Sequence, residues 1–149
     1  MTRSTDARVR RPKDKDQIMS VLADNVFGTY WEVMVFAASL GYSHKRRVTF
    51  TEVSEPVRFS TFANNGLEYF PNLLALATEK EASILADSKF EERLKMFEEY
   101  ANGGLEILGS ALDAHSVVLD AVITEITKVR TRIASDFSGH EDIEDLISE

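Results

Sequence analysis

The chain has no cysteine, and only three prolines and seven glycines among 149 residues. Without cysteine there can be no disulfide, no thiolate zinc site and no cysteine nucleophile. Its longest uninterrupted apolar run, Val33 to Ala38, falls far short of the ~20 residues a membrane span needs. Met1 to Arg11 is basic and polar and lacks the apolar core of a secretory signal. These absences point to a cytoplasmic protein of one domain with no membrane partner. The motifs of chemistry are missing as well. There is no G-x-x-x-x-G-K-[ST] phosphate loop, no G-x-G-x-x-G and no G-x-S-x-G elbow. His44, His115 and His140 lie too far apart for a metal-binding pair, and each reads as a solvated or capping residue. The Glu91–Glu92 and Glu98–Glu99 pairs, with Lys89, Arg93 and Lys95 nearby, read as a solvated helix face. No catalytic residue, metal or cofactor is expected.

What the sequence does have is an uneven charge. Residues 1–50 carry nine Lys or Arg against five acids, a net of +4, while the rest carries eight against twenty, a net of −12. Either the N-terminal third meets a polyanion or it ends in a disordered basic tail.

Residues 1–6 read as a flexible tail, residues 7–47 as a basic strand-helix-helix segment, 48–134 as a hairpin and helical body, and 135–149 as an acidic tail. Ala7 to Arg11 is a short strand closed by Pro12. A first helix is expected from about Asp14, with Gln17 in the reciprocal capping position, ending near Asp24 or Asn25. Thr29 and Glu32 form a second capping box, opening a helix that stops at Gly41. The centre of that helix is apolar all round, so something must enclose it. Val48 to Val53 and Val57 to Phe62 suggest a β-hairpin turning at Ser54, Glu55 and Pro56. Helical segments follow. Gly103 and Gly104 read as a helix joint, and Val118, Val122, Ile126, Val129 and Ile133 as one apolar side of the longest helix, Val117 to Ile133. Ile143, Leu146 and Ile147 could dock the tail as a weak amphipathic helix. The fold class is mainly α with a small β component, ending in a C-terminal helical bundle.

The order strand, helix, turn, helix over residues 7–41 is that of ribbon-helix-helix DNA-binding proteins. In that plan two copies pair their strands, and the ribbon enters the major groove. Arg8 and Arg10 would face the DNA, with Arg11, Lys13, Lys45, Arg46 and Arg47 adding backbone contacts. Val9, Trp31, Val35 and Phe36 would meet the second copy of a homo-oligomer. A basic arm before two ordinary core helices gives the same pattern.

Three blocks also carry a family resemblance. Arg8 to Lys15 (RVRRPKDK), Met34 to Tyr42 (MVFAASLGY) followed by Arg46-Arg47, and Phe97 to Leu108 (FEEYANGGLEIL) resemble the DNA phosphorothioation-associated protein 4 family over most of residues 8–112. The resemblance implies a prokaryotic protein encoded beside the Dnd genes, whose products put sulfur into the DNA backbone. It implies DNA or other Dnd-system proteins as partners and transfers no catalytic residue. Three roles fit it: a DNA-binding accessory, an adaptor binding other proteins of the system without touching DNA, and a regulator of its own gene cluster.

Overall fold

The computed structural model describes residues 7–138, and the side chains up to Phe137. The expected tail 1–6 and the proposed docking residues Ile143, Leu146 and Ile147 lie outside the described residues. The fold is mainly helical, as expected, with one two-stranded antiparallel sheet and a helical bundle. Strand β1 (Arg8–Pro12) leads through a 3-10 turn into α1 (Asp16–Leu22). The capping role expected of Asp14 is not used. Helix α1 starts two residues later without a side-chain cap, and the Asp14 carboxylate instead takes the Lys15 ammonium at 3.0 Å. A π-helical turn over Ala23–Phe27 then reaches left-handed Gly28, so the chain reverses slightly later than expected.

Helix α2 (Tyr30–Ser43) begins at the expected cap. Thr29 Oγ1 accepts from the Glu32 N–H at 3.3 Å and donates to the Glu32 carboxylate at 2.8 Å. The helix does not stop at Gly41. It runs two residues further, to Ser43, because Gly41 is a packing residue: a Cβ there would lie 2.1 Å from the Tyr100 carbonyl oxygen. Gly104 is the counterpart on the facing helix, where a Cβ would lie 1.8 Å from the Ala37 carbonyl oxygen. Both glycines therefore let two backbones touch. Gly103–Gly104 is accordingly no joint, and α5 (Phe90–Ala114) continues through it for 25 residues.

The hairpin is replaced by a long-range pairing. Strand β2 (Val53–Arg58) runs straight through the expected turn and pairs with β1, with Arg8 opposite Arg58, Val9 opposite Val57, Arg11 opposite Ser54 and Pro12 opposite Val53. Arg10 therefore faces two residues, Glu55 and Pro56. This is a bulge, and it suits a proline that cannot donate to the ladder. The rest of the second expected strand is helix α3 (Phe59–Asn64).

Helix α4 (Phe70–Glu79) packs on α5 and has Pro71 in its first turn, where no N–H is needed. Helix α6 (Val118–Ser138) packs on α5 and on the π-helical turn. The core cluster joins Val9, Met19, Leu22, Val33, Met34 and Ala37 to Phe97, Ala101, Leu105 and Leu108. The all-round apolar α2 is thus covered by its own chain, above all by α5 and on its other flank by α1 and the π-helical turn.

Candidate nucleic-acid interface

Strand β1 presents its arginines in three different ways. Arg8 and Arg10 do share a face, as alternation requires, but that face looks onto α5. They line a cleft of about 330 Å³ together with Glu91, Leu94, Lys95 and Glu98. Arg10 is spent inside it. Its backbone N–H donates to Glu98 Oε2 at 2.7 Å, its Nε to Oε1 at 2.9 Å, and its Nη2 lies 2.9 Å from Oε1. The guanidinium also stacks over Phe50. Arg11 is buried, donating Nε to the Glu55 carbonyl at 2.7 Å, meeting Asp16 at 3.5 Å and stacking 4.4 Å above the Tyr30 ring. Arg8 alone stays exposed and without an ion pair among the described residues.

The ribbon pairing expected of β1 is therefore closed off on both edges. One edge is filled by β2 of the same chain, and on the other the Arg10 N–H is taken by Glu98. Val9, expected at an interface between copies, is fully buried in its own core, with its strand partner Val57 packed against the same cluster. Trp31, Val35 and Phe36 are half-buried against that core.

The second basic group is similarly occupied. Arg46 reaches Glu106 at 3.0 Å, and Arg47 reaches Glu99 at 2.9 Å with its guanidinium over Tyr100. The segment between them and β2 is strapped to α5, with the Val48 N–H donating to the Glu99 carbonyl and Asn102 Nδ2 to the Val48 carbonyl. Lys13 and Lys45 remain exposed and unpaired among the described residues. Of the seven cations expected to meet DNA, Arg8, Lys13 and Lys45 have no carboxylate partner among the described residues, while Arg10, Arg11, Arg46 and Arg47 do.

Glu98 and Glu99 are the residues that sequence reasoning misplaced. Both are buried, not solvated, unlike Glu91 and Glu92. The available signal is that the pair interrupts an apolar run, with Met96-Phe97 before it and Tyr100-Ala101 after it, all four of them buried. Burial pushes the Glu98 carboxyl above the usual carboxylate range, against the hydrogen bonds and charge of Arg10, which pull it down. The same hydrogen bond raises the Arg10 guanidinium. Arg93 is a further structural cation. It donates to Asn72 Oδ1 and to the Ile84 and Ala86 carbonyls at 2.7–2.8 Å, and burial lowers its pKa. His115 caps the end of α5, its Nδ1 2.9 Å from the Ala111 carbonyl, while His44 is exposed and His140 lies outside the described residues. Among the described residues no helix is long and apolar enough to cross a membrane.

A family model for DNA sulphur modification system-associated protein 4 matches residues 8–145. The chain belongs to this family. The match takes in α6 and runs beyond it, where the sequence blocks had suggested an end near residue 112. No curated protein and no solved structure matches the chain. In this member of the DNA sulphur modification system-associated protein 4 family, the blocks behind the resemblance touch one another. Arg10 of the first meets Glu98 of the third, Gly41 of the second meets Gly104 of the third, and Arg47 is held by Glu99. Those blocks build the central crossing and its clamps.

Proposed function

We propose that the chain is a non-catalytic, cytoplasmic accessory of a DNA sulphur modification system that touches the DNA backbone at the outer end of its sheet. One observation carries this reading. Arg8 and Arg58 face each other across the two strands, both exposed and neither paired to a carboxylate among the described residues. Like charges directly opposed across a sheet repel, and an external anion relieves that repulsion. Elsewhere on β1 and after α2, the fold neutralises its arginines with its own carboxylates. Lys95 lines the same cleft as Arg8 and adds a third cation.

The contact is small, and it works against a net charge of −8. Two or three phosphates imply a log–log salt slope of roughly −2 to −3, at ~0.9 per phosphate. Fluorescence anisotropy with short duplexes at two salt concentrations tests this. Arg8→Ala with Arg58→Ala should abolish the salt-sensitive binding, and absence of binding by the folded wild type at low salt overturns the reading. A second reading is an adaptor that binds other proteins of the system without DNA contact. It is favoured by the pairing of Arg10, Arg11, Arg46 and Arg47, which removes most of the expected basic surface. Pull-down with the neighbouring gene products separates the two, since the adaptor keeps its partners when Arg8 and Arg58 are replaced.

A further inference from the structure

Helix α6 carries apolar side chains on two sides. Its inner side, with Val118, Ala121, Val122 and Val129, packs toward α5 and the core. The other side displays Leu119, Ile123, Ile126, Ile133 and Phe137, each between 47% and 73% exposed. With Arg130 these positions are separated by four, three, four, three and four residues, the alternating spacing of a coiled-coil seam. Ile126 and Ile133 also wall an apolar trough of about 370 Å³ against Phe36 and Leu40 of α2. Every residue from Arg130 to Phe137 is exposed, so the end of the helix leaves room for another helix beside it.

We infer that this face pairs with the same face of a second copy, α6 against α6, antiparallel. The spacing reads the same from either end, so the stripe is complementary to its own reverse. Charge selects the direction. The first half of the helix carries exposed Asp120, and the second half carries exposed Arg130, Arg132 and Asp136, with Arg130 in the stripe itself and Arg132 donating to the Ser43 carbonyl. Asp120 and Arg130 have no ion-pair partner among the described residues. Parallel pairing would set Arg130 against Arg130 in the seam, whereas antiparallel pairing sets each Arg130 level with Ile126 of the other copy. The exposed apolar area is also of the right size. Five half-exposed large side chains leave on the order of 500 Å² per copy, at the upper end for a monomer's largest patch. Doubled and edged with polar atoms, it reaches the ~1,200 Å² lower bound of stable interfaces, which suits a weak dimer that dissociates on dilution. Phe36 is the one residue of the interface expected from sequence that lies beside this face.

This inference stands apart from the DNA reading, and solution mass tests it. Sedimentation of the full chain should show twice 16.8 kDa at high concentration, with dissociation on dilution. Ile126→Glu with Ile133→Glu should weaken association at least tenfold while far-UV circular dichroism stays unchanged, since both side chains are half in water. Three results would overturn the pairing. One is a chain of 16.8 kDa at every concentration. Another is a dimer indifferent to the two glutamates. The third is a chain that dimerises only when residues 139–149 are removed, which would show the trough to be the tail's own seat.

Discussion

The crossing of α2 with α5 and the outer face of α6 are both apolar surfaces on helices, yet they are made of different side chains. At the crossing the contact residues are small: Ala37, Gly41, Ala101 and Gly104 let the backbones meet, and larger side chains close the flanks. On α6 the outer residues are large and branched or aromatic, and about half or more of each is in water. Small residues signal a contact already made, because a Gly facing solvent gains nothing there and costs about 1 kcal/mol in a helix. Large exposed residues at regular spacing signal a contact still to be made. The two surfaces therefore belong to different steps, the first to folding and the second to assembly.

The sharpest way to break this comparison is at its tightest point. Gly104→Ala places a methyl 1.8 Å from the Ala37 carbonyl oxygen, so the two helices must separate. A loss of roughly 3 kcal/mol is expected, read as a fall in Tm of about 10 °C. An unchanged Tm would mean that the crossing is not as close as described.

Next in size is the clamp beside that crossing. Arg10→Ala leaves the buried Glu98 carboxylate without its partner, which should cost about 2 kcal/mol at neutral pH in urea denaturation. The deficit should shrink in acid. Glu98 titrates above the ordinary carboxylate range in the folded chain, so it holds its proton more tightly folded than unfolded. Its contribution to stability is greatest below the ordinary carboxylate pKa and is lost as pH rises through the raised value. Without Arg10 the folded pKa rises further, and protonation removes the uncompensated charge. Glu98→Gln should abolish this pH dependence, so wild type and variant agree best in acid and diverge as pH rises.

Smaller effects are expected on the outer surfaces. Ile133→Glu should change folding stability by no more than about 0.5 kcal/mol under dissociating conditions, as for other exposed sites. A large loss there would show that the α6 stripe belongs to the core. Smallest of all, Arg8→Ala should stabilise the chain by a few tenths of a kcal/mol at low salt, because it removes the repulsion with Arg58.

Much of this was legible in the sequence, and the failures have physical reasons. Thr29 and Glu32 announced the start of α2 because a cap is local, satisfied within three residues. The apolar girdle of α2 announced enclosure but not by what, since the spacing of Val33 to Ala38 is the same whether α5 or another chain supplies the cover. The pairing of β1 with β2 joins residues some fifty positions apart, and no local pattern reports it. Pro56 pointed to a turn when it marks a bulge. Gly103 and Gly104 pointed to a break because a glycine pair weakens a helix in isolation, whereas here tertiary packing requires it. The charge of the basic N-terminal third is legible as composition, but its ion pairs are not, because the matching carboxylates Glu98, Glu99 and Glu106 lie some 50 to 90 residues away. On α6, Ile126 and Ile133 were grouped with Val122 and Val129. A helix with apolar residues on two sides offers several stripes, and its neighbours choose among them.

Hydrogen exchange across a dilution series tests the division of labour between α2 and α6 most directly. In dilute solution the amides from Val33 to Gly41 should already be protected to the level of global unfolding, while those from Ile126 to Phe137 exchange quickly and slow down only as concentration rises. Fast exchange in α2 that is suppressed by concentration would contradict the account, because it would show that α2 needs another molecule for its cover.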